Sequence, residues 1–116
     1  MNTMNNIRLC LVGCGRISGK HFGSIKEFPQ IKIVGVCDID ETKSRETAQA
    51  QRCEGFTNYE EMLIKLKPDI VSICTPNGLH AQMTIIAAKH SIHVITEKPM
   101  ALSLKDAQDM IQTCKQ

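Results

Sequence analysis

The sequence lacks any apolar run long enough to span a bilayer, and its first residues lack the basic region and apolar core of a signal peptide. It also lacks a strong excess of one charge, because the net charge is +2 and is spread along the chain. These absences argue against a nucleic-acid or membrane partner. They also predict a cytoplasmic, reducing location, where disulfides are rare.

Cys-x-x-Cys spacing is absent as well, although the chain has six cysteines. A zinc site is therefore not expected, and neither is any other metal site. Cys10, Cys37 and Cys74 lie in apolar runs that predict central strands. A thiol in such a run packs as a small hydrophobic group, which predicts a structural role for these cysteines.

The 116 residues are 42% hydrophobic and 22% charged, which is ordinary for one globular domain. Short apolar runs predict strands, and segments with helical spacing of apolar residues predict helices between them. This alternation predicts an α/β fold: a Rossmann doubly wound parallel sheet with helices on both faces. The predicted strands are 7–12, 31–37, 55–57, 70–74 and 92–96.

Capping and breaking residues predict where the helices start and stop. Pro29 is expected to end the first helix, whose apolar positions run from Ile17 to Phe28. Asn58, with Glu61 three residues later, predicts the start of a helix. Ser103 is expected to cap the last helix.

The first strand ends in a glycine-rich turn, Gly13-Cys14-Gly15. Gly13 would permit the tight turn, and Gly15 would remove a side chain where a pyrophosphate approaches the backbone. The helix that follows would present its free N–H groups to that phosphate. The usual third glycine is replaced by Ser18, which is small enough for close packing. Taken alone, the motif is also compatible with a turn that binds no ligand.

Asp38 follows the second strand at the distance expected for an acidic residue that binds the adenosine ribose. A carboxylate there accepts hydrogen bonds from both hydroxyls and repels a 2′-phosphate, which favours NAD over NADP. It could instead cap a loop, and Asp40 could equally play that part. Lys43 and Arg45 are near enough to keep NADP open.

Two further polar segments follow the later strands. The segment 75–80 is expected to line the nicotinamide end, with a turn at Asn77-Gly78. Its His80 could instead be a first-turn helix residue without a ligand. Lys98 follows the last strand, and beside a positively charged nicotinamide it could help to move a hydroxyl proton. The alternative is an ordinary surface turn.

Taken together, the residues resemble the Gfo/Idh/MocA oxidoreductase family from Ile7 to Cys114. The likeness rests on Gly13-x-Gly15, His21, Asp38, Thr75-Pro76-Asn77-x-x-His80 and, most specifically, Glu97-Lys98-Pro99. The resemblance implies an NAD(P)-dependent enzyme acting on sugars or polyols. The run 93–101 looks most like sugar-nucleotide 3-dehydrogenases, which oxidise C3 of UDP-N-acetylglucosaminuronate.

The resemblance also implies roles for individual residues. Lys98 would be the catalytic or proton-relay lysine, and Glu97 would contact the nicotinamide ribose. Thr75, Pro76 and Asn77 would line the cofactor cleft with His80 close by. The backbone of Arg16 and Ile17 would meet the pyrophosphate.

The chain departs from the family in two respects. Ser91 stands where a helix-ending glycine is usual, which costs serine about 1 kcal/mol in a left-handed conformation. The length predicts one dinucleotide-binding domain, residues 1–116, without the family's substrate domain and its oligomer interface. We therefore expect a truncated domain that is inactive by itself.

Two other functions stay open from the sequence. A Rossmann module can act as a non-catalytic nucleotide sensor. A methyltransferase also pairs a glycine-rich turn with an acidic residue after the second strand, although Ile17 stands where it would usually have a glycine.

Overall fold

The computed structural model describes residues 6–75, 77–96 and 100–115, in which strands alternate with helices. The strands are β1 (Ile7–Val12), β2 (Ile31–Cys37), β3 (Glu54–Phe56), β4 (Ile70–Ile73) and β5 (His93–Ile95). The helices are α1 (Arg16–Ile25), α2 (Glu41–Gln51), α3 (Tyr59–Leu66), α4 (Asn77–Lys89) and α5 (Met100–Lys115). The predicted alternation is confirmed, and each strand lies within one residue of its expected bounds.

The strands form one parallel sheet in the order β3-β2-β1-β4-β5. The chain moves outward from β1 to β3 and then crosses back, so that β4 lies on the other side of β1. This reversal is the doubly wound arrangement, which opens a crevice where neighbouring connections diverge. The predicted Rossmann fold is confirmed.

The side chains of β1 face two apolar cores, because successive residues of a strand point to opposite faces. Leu9 and Leu11 belong to the core formed with α1, α2 and α5. Cys10 and Val12 belong to the core formed with α3 and α4. All four are at most 2% exposed, so helices cover both faces of the sheet.

The described cysteines are free thiols, and Cys10 and Cys37 lie fully within the strands. Burial raises the pKa of both thiols to about 12, which keeps them protonated and apolar in character. Cys74 lies one residue beyond β4. Within the described ranges, no helix is long and apolar enough to cross a membrane.

Two helix boundaries differ from the prediction. α1 ends at Ile25, not at Phe28, because a residue that precedes proline is pushed out of the α region and the helix ends before it. The predicted cap at Ser103 is wrong, since α5 already begins at Met100. Pro99 precedes Met100 in the sequence, and proline favours a helix start more strongly than the serine three residues inside the helix.

Other local predictions are confirmed. The Asn58 side chain caps α3 by accepting a hydrogen bond from the Glu61 N–H at 2.8 Å. Ser91 has φ 60°, the left-handed conformation expected where a helix-ending glycine is usual. The turn is closed by the Ile92 N–H, which donates to the carbonyl of Ala87 at 3.0 Å.

Candidate functional site

The ends of β1, β2 and β4 meet at one edge of the sheet. The Gly13 N–H donates to the carbonyl of Cys37 at 2.8 Å, and the Cys74 N–H donates to the carbonyl of Val12 at 2.8 Å. The turn after β1 therefore lies between the residues that follow β2 and those that follow β4. In open α/β sheets this crevice is where ligands bind.

Gly13 is required here for two separate reasons. Its φ is +94°, a conformation that side chains of L-residues rarely adopt. A Cβ at this position would also lie 2.8 Å from the carbonyl carbon of Cys74 and 2.9 Å from the nitrogen of Thr75. The predicted tight turn is confirmed, and the close approach to the end of β4 is a second constraint that the sequence did not reveal.

Gly15 has the opposite surroundings, because a Cβ built there would meet no heavy atom within 4 Å. Gly15 is the N-cap of α1 and provides no side-chain cap, and the first turn of α1 carries no acidic residue. Arg16 and Ile17 are the first residues of α1, where backbone N–H groups have no intrahelical acceptor. Open space at a positive helix end fits a phosphate group.

Asp38 follows β2, and both of its carboxylate oxygens accept backbone hydrogen bonds. Oδ2 accepts from the Cys14 N–H at 2.8 Å, and Oδ1 accepts from the Asp40 N–H at 2.8 Å. Because each carboxylate oxygen has a second lone pair, Asp38 keeps acceptor capacity for ribose hydroxyls. The structure places Asp38 against the glycine turn and adds a role in holding Cys14 there.

Asp40, which the sequence left as an alternative, has a different position. It is the N-cap of α2, and its Oδ1 accepts from the N–H groups of Thr42 at 3.0 Å and Lys43 at 3.2 Å. The Asp40 carboxylate is therefore engaged with its own helix. Of the two aspartates, Asp38 is the one that contacts the glycine turn.

A cleft of about 510 Å³ lies between the residues that follow β2 and those that follow β4. It is lined by the glycine turn, by Asp38 and by apolar side chains that include Ile39 and Leu79. Ile39 is 90% exposed and Leu79 is 41% exposed. Exposed apolar side chains in a cleft are surfaces on which a planar base can pack.

Several residues that line the cleft were not identified as site residues from the sequence, and Ile39 and Tyr59 are among them. The Tyr59 hydroxyl donates to the carbonyl of Met83 at 2.9 Å and so joins α3 to α4. Burial raises the pKa of Tyr59, which keeps this donor protonated. A signal for Ile39 was available, because it directly follows Asp38, the residue predicted to bind the ribose.

The two basic residues that kept NADP open lie in different places. Lys43 lines the cleft together with Asp38 and Asp40. Arg45 lines a separate cavity of about 500 Å³ between α2 and β3, which does not include the glycine turn. Of these two basic residues, only Lys43 therefore lines the cleft together with Asp38.

Thr75 follows β4 and lines the cleft, and its hydroxyl donates to Sδ of Met83 at 3.5 Å. The predicted turn at Asn77-Gly78 is wrong, because Asn77 is the first residue of α4 and Gly78 has no positive φ. Proline just before a helical pattern favours a helix start, and here this outweighs the turn tendency of Asn-Gly. Pro76 itself lies outside the described residues.

His80 lies in the first turn of α4, and its ring folds back towards the end of β4. Its Nε2 is 2.5 Å from the carbonyl oxygen of Thr75. Because a carbonyl only accepts, Nε2 carries a proton and donates. The imidazole therefore fixes the backbone of a residue that lines the cleft.

Glu97, Lys98 and Pro99 lie outside the described residues, so their roles stay predictions. β5 runs parallel to β4, with Ile95 opposite Ser72. The chain therefore leaves β5 at Thr96 on the same edge of the sheet at which it leaves β4.

Comparison with known proteins agrees with this geometry. Residues 7–116 match the profile of the Gfo/Idh/MocA oxidoreductase family, described as an NAD-binding Rossmann fold. D-glucoside 3-dehydrogenase of Escherichia coli is 29% identical over 97% of this chain and 33% of that protein. Myo-inositol 2-dehydrogenase of Thermotoga maritima is 28% identical over 94% of this chain and 33% of that protein.

Among solved structures, the WlbA dehydrogenase of Chromobacterium violaceum, in complex with NADH and UDP-GlcNAcA, has a TM-score of 0.77 and 36% identity. The match covers 93% of this chain and 33% of that one. The chain thus spans about a third of the length of the proteins it resembles. The family match favours NAD binding over the methyltransferase alternative. This chain belongs to the Gfo/Idh/MocA oxidoreductase family and comprises its NAD-binding Rossmann domain.

Proposed function

We propose that this chain is the cofactor-binding part of an NAD-dependent dehydrogenase that oxidises a hydroxyl of a sugar or sugar nucleotide. The favoured position is C3 of a UDP-N-acetylhexosaminuronate. The observation that carries the proposal is the cleft at the glycine turn, with open space beside Gly15 and the carboxylate of Asp38. Similarity to WlbA and to D-glucoside 3-dehydrogenase supports a sugar hydroxyl as the reacting group.

Different residues of the cleft would contact different parts of the dinucleotide. The start of α1 would hold the phosphates, and Asp38 would accept hydrogen bonds from the adenosine ribose. The adenine would pack on Ile39 and Leu79, and Thr75 would line the nicotinamide side. When bound, NAD supplies the acceptor for the hydride that leaves the sugar carbon.

Lys98 would carry the proton of the reacting hydroxyl, and Glu97 would bind the nicotinamide ribose. In a longer protein that carries this domain and a substrate domain, Lys98→Ala should lower kcat more than it changes the Kd for NADH. Glu97→Gln serves as the comparison, because loss of a ribose contact should mainly raise that Kd. Unchanged turnover in Lys98→Ala would remove the catalytic assignment.

The direct test of the proposal is a calorimetric titration of the 116-residue chain, once with NADH and once with NADPH. NADH should bind more tightly, since Asp38 repels a 2′-phosphate and Lys43 offsets only part of that repulsion. S-adenosylmethionine is the matched negative ligand. Absence of NADH and NADPH binding at millimolar concentration would contradict the proposal.

A reaction without net oxidation is the second candidate. The 2,7-anhydro-N-acetylneuraminate hydratase of Escherichia coli is 35% identical over 80 residues, which is 69% of this chain and 22% of that protein. The two reactions can be distinguished by following the absorbance of NADH while a longer protein that carries this domain converts its substrate. A dehydrogenase accumulates NADH during the reaction, and a hydratase does not. Binding of NADH with no turnover of any sugar would favour the sensor function instead.

A further inference from the structure

His21 joins α1 to the end of β4 through two short contacts. Its Nδ1 lies 2.9 Å from Oγ of Ser72 and 3.1 Å from Sγ of Cys74. His21 is 8% exposed and Ser72 is fully buried. The contact with Ser72 is buried and the contact with Cys74 is partly buried. A buried hydrogen bond is costly to lose, because no water molecule takes over the lost partner.

Both ends of this link lie next to the cleft. α1 starts at the cleft with Gly15 as its N-cap, and Cys74 itself lines the cleft directly before Thr75. The carbonyl of Cys74 also approaches Gly13 so closely that a Cβ at Gly13 would lie 2.8 Å from it. A movement of Cys74 relative to α1 would therefore change the spacing between two walls of the cleft.

The chemistry of the link suits a fixed contact. Burial lowers the pKa of His21, and burial raises the pKa of the Cys74 thiol to about 11. The pair is therefore a neutral imidazole and a neutral thiol at neutral pH. Nδ1 has either one proton or one lone pair, and hydroxyl and thiol can each donate or accept, so Ser72 and Cys74 share this nitrogen in either tautomer of the ring.

We infer that His21 is a positioning residue for the cofactor, because its Nδ1 holds the end of β4 against the helix that would receive the phosphates. The inference rests on the proposed binding of NAD. His21 is not among the residues that line the cleft, so its effect on affinity would act through Cys74 and Thr75. A residue that only filled the core would affect stability and leave the affinity of the folded chain unchanged.

Two amide substitutions separate these possibilities. The side chain of His21→Asn places a polar atom near the position of Nδ1, whereas that of His21→Gln places its amide near Nε2. Loss of a buried hydrogen bond predicts that His21→Gln weakens NADH binding about three- to tenfold. His21→Asn should keep the affinity of the unmodified chain within about twofold, since it restores the link.

A double-mutant cycle identifies the partner. Cys74→Ala alters the cleft wall as well as the link, so its single effect is not decisive. Its additional effect should be smaller in the His21→Gln background, because the shared contact is already lost. Cys10→Ala is the matched control: it truncates a fully buried thiol in β1 and should lower the unfolding midpoint without changing the Kd for NADH.

The outcomes are distinguishable. If the unmodified chain fails to bind NADH, the proposed function fails first and no variant is needed. If it binds and His21→Gln binds equally well, or if His21→Asn and His21→Gln weaken binding alike, the positioning role is overturned. Should His21→Gln not fold, Ser72→Ala combined with Cys74→Ala removes both partners of Nδ1, and an unchanged NADH affinity in that double variant would overturn the inference.

Discussion

Replacement of Asp38 by alanine removes a carboxylate that serves both the fold and the proposed cofactor. Its two oxygens accept from the N–H groups of Cys14 and Asp40, each at 2.8 Å. The Asp40 contact is exposed, so water replaces it at little cost. The Cys14 contact is partly buried, and an unpaired donor there should lower the free energy of unfolding by about 1–2 kcal/mol.

The effect on binding should be larger than the effect on stability. A hydrogen bond to a charged group contributes about 1.5–3 kcal/mol, and Asp38 would accept from the ribose hydroxyls. We therefore expect Asp38→Ala to weaken NADH binding about 10- to 100-fold. NADPH should lose less affinity, because the repulsion of its 2′-phosphate is removed and Lys43 still lines the cleft.

Two quantities are measured on the same preparation: the free energy of unfolding in urea, and the dissociation constants for NADH and NADPH by calorimetric titration. Asp40→Ala is the matched control, because it removes a neighbouring carboxylate that caps α2. Loss of this cap should cost about 1 kcal/mol of stability. It should leave the ratio of the NADH and NADPH dissociation constants nearly unchanged.

Two results would refute the reasoning. If Asp38→Ala loses stability but keeps its NADH affinity, the carboxylate only holds Cys14 and has no part in binding. If Asp40→Ala changes the NADH to NADPH ratio as much as Asp38→Ala does, the preference comes from net charge near the cleft and not from a ribose contact.

Further predictions follow from the glycines, a helix end and a buried histidine. Gly15→Ala should weaken NADH binding in calorimetry, whereas Gly23→Ala, which also meets nothing within 4 Å, should leave binding unchanged and raise stability by about 0.5–1 kcal/mol. Ser91→Gly should raise stability in urea by about 1 kcal/mol, because φ is 60° there. Because burial lowers the pKa of His21 below the ordinary 6.5, stability should fall as the pH drops below that value, and His21→Asn should flatten this part of the unfolding profile. Equal losses of NADH affinity in Gly15→Ala and Gly23→Ala, no gain in Ser91→Gly, or an unchanged acid profile in His21→Asn would each contradict the corresponding prediction.

The arrangement of the strands was predictable because it depends on periodicity. Buried parallel strands are continuous apolar runs, and their carboxyl ends share one edge of the sheet. Gly13, Asp38 and Thr75 each follow such a run, so their convergence could be derived without coordinates. The structure confirms that convergence through hydrogen bonds between the strand ends.

The details that were missed depend on contacts between distant parts of the chain. The steric limit at Gly13 comes from the backbone of Cys74, and no local pattern reports that approach. The helix start at Asn77 was predicted as a turn, and the start at Met100 was predicted three residues too late, at Ser103. Both predictions used side-chain signals without considering the proline that precedes each helix. The exposure of Ile39 and Leu79 could not be predicted either, because it depends on which side of the loop after β2 and which side of α4 face the cleft.

Several walls of the cleft are held by bonds that need no ligand. Asp38 holds the Cys14 N–H, His80 holds the Thr75 carbonyl, and His21 holds Cys74. A cleft organised in this way loses less conformational freedom when a ligand binds, which favours affinity. The same bonds also contribute to folding. A loss of NADH binding in a variant of Asp38, His80 or His21 is therefore informative only when the stability of that variant is measured as well. The matched pairs Asp38 and Asp40, and Gly15 and Gly23, separate the two effects because only one member of each pair lies at the proposed contact with the cofactor.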